Sequence, residues 1–106
     1  MKLGRVSVLQ AFVANGGVRN AFKAATYLAS WGAVYRHYRR APTVEEYCEF
    51  WKQSRATTYR ESLAFSKCSP DLSVEQVWRS LPSAVRRSSD RSALIADVAS
   101  AKWVRS

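Results

Sequence analysis

The chain has 106 residues, 47% of them hydrophobic, which is enough for one domain with a packed core and excludes a disordered tail. Its net charge is +9 at pH 7, and seven basic residues but no acidic residue lie in positions 1–44. Positions 45–106 hold ten basic and eight acidic residues. This asymmetry favours a polyanionic partner, because each neutralised phosphate releases a counterion.

Two helices are predicted in the first part of the chain. Residues 4–14 carry apolar side chains at helical spacing, and Gly16 and Gly17 supply the left-handed backbone that closes a helix. A strand around Ser7 is the alternative, because valines alternate on either side of it, but the alternation fails further along. Helix is therefore the prediction for this segment.

Residues 18–40 form the longest predicted helix. Apolar side chains keep a period near 3.6 residues over some six turns, and their wide stripe indicates a central helix. Gly32 marks a close crossing or a bend. The stripe consists of Phe22, Ala25, Leu28, Ala29, Trp31, Val34, Tyr35 and Tyr38.

Three arginines close this second helix. Arg36, Arg39 and Arg40 share one helical face by their i, i+3 and i+4 spacing. They either complement the dipole of the helix C-terminus or contact phosphate. The absence of acidic residues from this part of the chain favours phosphate contact.

Residues 42–67 contain two short helix signals with a tight joint between them. Thr43 and Glu46 have the spacing of a capping box, which predicts a helix start after Pro42. Lys52 and Gln53 form the joint. Ser54 is then the N-cap of a helix that reaches about residue 67.

The C-terminal part contains two further helix signals and a basic segment. Ser73 and Gln76 form a second capping box, and Asp90 caps a last helix. Residues 83–91 are polar and basic and are predicted to be a mobile loop. No alternating strand pair follows the helix that Ser54 opens, so no winged variant is predicted.

Few residues suit catalysis, metal binding or export. One histidine and two cysteines fall short of the four ligands of a structural zinc site, and the acidic residues occupy capping positions. We expect no enzymatic activity, no metal and no cofactor, with Cys48 a buried free thiol in a reducing cytoplasm. Neither a signal peptide nor a membrane span is expected, because residues 24–35 are too short an apolar run.

Residues 42–67 resemble the helix-turn-helix of small bacterial and phage DNA-binding proteins, whose capped, arginine-bearing second helix enters the major groove. The matching features are the Thr-Val-Glu-Glu opening, the small Cys48, the Ser54 cap and the Arg-Ala-Thr-Thr-Tyr-Arg that follows it. The chain departs from the pattern at Lys52, where many members have glycine, and at Gln53, where an apolar residue is usual. Thr58 also stands where valine or leucine is common.

The helix signals along the chain predict an all-α fold, a single compact multi-helix bundle over residues 1–106. The resemblance adds a helix-turn-helix at 43–67, without a wing. It further implies sequence-specific binding of double-stranded DNA by a small transcriptional or mobile-element regulator. Ala56, Tyr59 and Leu63 would pack inward. The side chains expected to face DNA are Ser54, Arg55, Thr57, Thr58 and Arg60, with Thr58 between the two faces, and phosphate contacts are expected from Arg36, Arg39, Arg40, Lys52, Arg86 and Arg87.

Other partners follow from the same residues. Reading of a palindromic site would require a homodimer, with the first helix or the last helix and Trp103 as its surface. A helical module that binds a protein of the transcription or replication machinery is the main alternative, since tyrosine, tryptophan and arginine also anchor protein interfaces. Arginines interleaved with Tyr35 and Tyr38 would also suit single-stranded nucleic acid or RNA.

Overall fold

The computed structural model describes residues 4–87 and 90–105, with side chains for residues 6–87 and 90–102. Helices account for most of this part of the chain, and the protein is all-α, as predicted. The elements in order are β1 (Gly4–Ser7), α1 (Val8–Tyr38), α2 (Val44–Trp51), α3 (Arg55–Cys68), α4 (Val74–Ser80), α5 (Ser83–Arg86), α6 (Arg91–Ser100) and β2 (Lys102–Arg105).

The helix predicted from residue 4 is wrong over its first turn, because residues 4–7 form a strand. β1 pairs antiparallel with β2, with Gly4 opposite Arg105 and Ser7 opposite Lys102. The partner strand comes from the other end of the chain, so local periodicity carries no signal for it. Ser7 then caps α1 through a capping box with Gln10.

The two predicted N-terminal helices are joined as α1. Gly17 alone leaves the helical conformation, at φ 86° and ψ 166°, which confirms the predicted break but leaves no separate loop. A Cβ atom at Gly32 would come as close as 2.3 Å to the ring of Trp78, so the predicted close crossing is also confirmed. Phe22 was expected in the buried stripe but is 60% exposed.

α1 is the central helix, and α3 and α6 pack along it. Phe12 meets Phe65 of α3 edge to face, with ring centroids 5.7 Å apart. Leu94 and Val98 of α6 are buried in the same core. The apolar faces that were expected to form a dimer surface are thus buried within one chain, because α1 needs cover on both sides. The Trp103 side chain lies outside the described residues.

The helix starts predicted in the C-terminal part are confirmed. Ser73 and Gln76 form their capping box, and the Asp90 carboxylate accepts from the amides of Ser92 and Ala93. The segment 83–91 differs from the loop expected there, because Pro82 is the N-cap of the one-turn helix α5; residues 88 and 89 lie outside the described residues. No strand lies between α3 and Ala101 in the described part, so α3 has no wing.

Within residues 4–87 and 90–105, no helix combines the length and the apolar character needed to cross a membrane. Both cysteines are free; Cys68 is buried, whereas Cys48, which was expected to be buried, is half-exposed.

Candidate nucleic-acid interface

The joint between α2 and α3 lies where the sequence placed it. Thr43 caps α2 in the predicted capping box, and Ser54 caps α3. Lys52 ends α2 in the left-handed region at φ 52°, a conformation that costs a non-glycine residue about 1–2 kcal/mol. Its amide donates toward the Glu49 carbonyl (3.3 Å), and the Gln53 amide donates to the Cys48 carbonyl (3.1 Å), so the turn is closed without a glycine.

Thr58 was expected among the DNA-facing residues, and the structure places it inside, 4% exposed. Its hydroxyl donates to the carbonyl of Ser54 (3.0 Å) and accepts from the side-chain amide of Gln53 (2.8 Å). Cys48 Sγ lies 3.3 Å from the same hydroxyl. These contacts hold Thr58 against the joint, so its hydroxyl is engaged within the protein.

The prediction that Ala56, Tyr59 and Leu63 pack inward is also wrong. Tyr59 is 68% exposed and Leu63 is 43% exposed. The buried side of α3 instead passes through Thr58, Phe65 and Cys68, with Ala64 at its edge. Both sides of α3 carry apolar residues, so the pattern alone did not distinguish them. The polar contacts of Thr58 and Gln53, with Phe65 in the core, select the side opposite to the predicted one.

The first two turns of α3 therefore present a mixed outer surface. We call it the α3 surface: Arg55, Ala56, Thr57, Tyr59 and Arg60, all exposed. The Ser54 hydroxyl accepts from the Thr57 amide (3.1 Å) and donates to the Thr57 hydroxyl (3.0 Å), so it serves the cap first. Arg55 pairs with Glu45 of α2 (2.9 Å), and both side chains are about 70% exposed.

A groove of about 410 Å³ runs beside this surface. Its wall includes Val44 of α2, Tyr27 of α1 and the α3 residues Ala56 and Tyr59. Val44 is 48% exposed. Together with Leu63, these side chains make the α3 side of the molecule partly apolar.

A second groove, of about 460 Å³, collects most of the other predicted cationic residues. Because it joins the end of α1 to α4 and α5, it could not be recognised from any one segment of the chain. We call it the arginine groove; it is lined by Tyr35, Arg36, Arg39, Trp78, Ser83, Arg86 and Arg87.

Arg40 does not join this groove, although it was expected to share a face with Arg36 and Arg39. α1 ends at Tyr38 and Arg39 is left-handed, so the chain turns and carries Arg40 to Glu46 of α2 (Nη1–Oε1 2.8 Å). The guanidinium holds the pKa of the Glu46 carboxyl at about 2. Arg40 thus joins α1 to α2.

Lys52 is exposed at the joint between α2 and α3.

The arginine groove and the α3 surface lie on different sides of α1. Tyr27 and His37 of α1 contact aromatic rings of α2 and α3, whereas Gly32, Tyr35 and Arg39 face α4 and α5. At 100° per residue, Tyr27 and His37 point about 150° away from Gly32 and Tyr35. The sequence analysis predicted that the arginines of both regions contact one DNA duplex.

Arg91, another arginine of the basic segment, has a structural position. Its guanidinium lies over the ring of Trp51, 4.2 Å from the centroid, and donates to the hydroxyl of Ser30 (3.1 Å). These contacts join the start of α6 to α1 and α2.

No protein-family model, no curated protein and no solved structure matches the chain.

Proposed function

We propose that this protein binds double-stranded DNA and reads its sequence with the α3 surface, as a small regulator. The observation that carries this proposal is the exposure of the first half of α3. Among residues 54–63 only Thr58 is buried, whereas the second half of the helix is anchored by Ala64, Phe65 and Cys68. A helix held at its C-terminal half and exposed at its N-terminal half is suited to insertion into a major groove.

The side chains of the α3 surface match what base edges offer. Arg55 and Arg60 can each take both acceptors of a guanine, a contact worth about 1–3 kcal/mol of discrimination. The Ala56 methyl suits a thymine methyl. Thr57 and Tyr59 carry hydroxyls that can donate to phosphate or bases. Ala56 and Tyr59 thus enter the proposed interface in place of the buried Thr58.

The ion pair between Arg55 and Glu45 does not oppose this role. Both side chains are exposed, and exposed pairs contribute only about 0–1 kcal/mol. A phosphate or guanine can therefore replace the Glu45 carboxylate as the partner of Arg55.

The test is fluorescence anisotropy with pools of labelled duplexes at about 50 and 200 mM salt, the range over which counterion release is visible. Arg60→Ala should weaken binding to preferred sequences by about 5- to 150-fold, the equivalent of ~1–3 kcal/mol. Arg19→Ala, an exposed arginine on α1, is the matched control and should weaken all duplexes slightly and equally. Equal effects of the two variants on every duplex would remove the α3 surface from sequence reading.

A protein partner is the second candidate, and the exposed apolar residues favour it. Val44 and Tyr59 line the 410 Å³ groove, and both are about half or more exposed, as is much of Leu63. Exposed clusters of this kind often mark protein-binding sites. If no duplex binds even at about 50 mM salt, and Tyr59→Glu abolishes retention of a partner that the unaltered chain captures, the α3 surface is a protein-docking surface.

A further inference from the structure

The walls of the arginine groove are held in place by contacts within the protein. Trp78 is 1% exposed and packs directly on Gly32. The Tyr35 ring stacks on Trp31 at 5.2 Å, and its hydroxyl accepts from Arg79 (3.1 Å). Arg86 Nε donates to the carbonyl of Leu81 (3.0 Å), which fixes the direction of its guanidinium. The groove is thus formed before any ligand arrives.

The groove concentrates positive charge. Four arginines line it, and no acidic residue appears among its described lining residues. Arg39, Arg86 and Arg87 take part in no ion pair within the described part of the chain, whereas Arg40, Arg55 and Arg79 each pair with a glutamate. Planar guanidinium groups bind phosphate oxygens in pairs. A ligand rich in phosphate groups fits this chemistry.

A straight duplex on the α3 surface would face away from most of the groove. The two lie on different sides of α1, and the smaller dimensions of the molecule are 27 and 21 Å. Simultaneous contact would require one duplex to bend around the domain. The groove therefore needs a separate segment of ligand.

We propose that the arginine groove is a second nucleic-acid site, which binds the phosphate backbone of another duplex segment, so that one chain bridges two segments of DNA. This inference rests on the proposed function for its first segment. The groove contributes affinity without sequence preference, since phosphates carry no base identity. The α3 surface supplies the sequence preference.

A duplex backbone fits the groove better than a single strand does. Binding of single strands depends on aromatic faces on which bases stack. Here Trp78 is buried, and the Tyr35 ring is stacked on Trp31. The groove offers guanidinium groups with little aromatic surface.

The experiment uses two random-sequence duplex pools, one biotinylated and held on beads and one fluorescent in solution. Bridging is the fluorescence retained on the beads by the full chain, and binding of one duplex is measured in parallel by anisotropy. The groove variant is Arg39→Glu with Arg87→Glu, two exposed side chains without other hydrogen-bonding roles. The control is Arg19→Glu with Lys23→Glu, also exposed on α1, which lowers the net charge by the same four units.

The unaltered chain and the control should bridge the two duplex pools. The groove variant should retain at least tenfold less fluorescence on the beads, and its sequence preference should stay the same. The milder Arg39→Gln with Arg87→Gln should lose part of it. A groove variant that bridges like the control overturns the proposal and points to a dimer that uses α3 twice. A chain that binds one duplex through Arg60 without bridging also overturns it, but leaves the proposed function intact.

Two results would separate the remaining readings. If the groove variant loses all duplex binding while Arg60→Ala binds normally, the groove is the sole site and both proposals fail. If the groove variant bridges normally but no longer binds a fluorescent single-stranded oligonucleotide that the unaltered chain binds, the groove takes single strands and the bridging proposal is wrong.

Discussion

The α3 surface and the arginine groove are both rich in arginine but differ in what surrounds it. On the α3 surface Arg55 has a carboxylate at 2.9 Å, and apolar side chains such as Tyr59 lie beside it. In the groove, Arg39 and Arg87 have neighbouring arginines and no acidic residue in the described lining. The arginines of this basic chain therefore lie in two chemically different surroundings. One mixes charge with apolar side chains, and the other is almost purely cationic.

The two regions also differ in how they are built. The start of α3 depends on local contacts, from the Ser54 cap and the Lys52 turn, and its second half is anchored by Phe65 against α1. The groove brings together residues of α1, α4 and α5 that lie up to 52 positions apart, and Trp78 on Gly32 holds them in place. Damage to the packing of Trp78 on Gly32 should therefore affect the groove before it affects the α3 surface.

Gly32→Ala tests this difference and should have the largest effect. The added Cβ would come within 2.3 Å of the Trp78 ring, which is buried and cannot swing out. Overpacking of this kind costs about 1–3 kcal/mol, part of which the better helix propensity of alanine offsets. Urea denaturation should show reduced stability, and bridging should fall more than binding of one duplex. A variant as stable as the unaltered chain would show that the groove wall is adaptable.

Thr58→Val and Thr57→Val form a matched pair on the α3 side. The buried Thr58 hydroxyl has hydrogen-bond partners in Ser54 and Gln53, so its loss should cost about 1–2 kcal/mol of stability. At the exposed position, Thr57→Val should lower the free energy of unfolding by less than about 0.5 kcal/mol.

DNA binding should respond in the opposite order. Thr57→Val should alter the preferred sequences, while folded Thr58→Val should keep them. Denaturation midpoints and anisotropy on the same duplex pools measure the two effects. If only Thr58→Val changed the preferred DNA sequences, Thr58 would belong to the DNA interface after all.

Glu46→Gln should have the smallest effect on stability. Glu46 pairs with Arg40 where α1 is joined to α2. The pKa of Glu46 is about 2 in the folded protein against an ordinary value of 4.5, because Arg40 and the Thr43 amide favour the carboxylate. Its contribution to stability is therefore complete above pH 4.5 and is lost as the pH falls toward 2.

Denaturation at a series of pH values between 5 and 2 checks this. The decline in stability on acidification should be less steep for Glu46→Gln than for the unaltered chain. Glu49→Gln, exposed on the same helix, serves as the control and should follow the unaltered chain. A steep decline in Glu46→Gln would show that other carboxylates govern acid sensitivity.

Helix starts were the most predictable part of the fold. Thr43 with Glu46, Ser54, Ser73 with Gln76, and Asp90 all cap helices as expected. The reason is that a cap satisfies amides within three residues of itself, so its signal is contained in the local sequence.

The candidate site was less predictable. The arginines of positions 36, 39, 86 and 87 were identified by type, but their meeting in one groove depends on the packing of α4 and α5 against α1. Arg40 was misassigned because the end of α1 turns it toward Glu46. The apolar groove beside Tyr59 was missed altogether, since that residue was expected inside.

The sequence by itself determined the all-α class, the positions of the caps and the turn at Lys52. Only the tertiary structure decided the pairing of β1 with β2, the side of α3 that is buried, and the separation of the arginines into two surfaces. The physical reason is range: caps and turns satisfy backbone groups within a few residues, whereas burial depends on which element the chain brings opposite. For α3, with apolar residues on both sides, the contacts of Thr58 and Phe65 settled that choice.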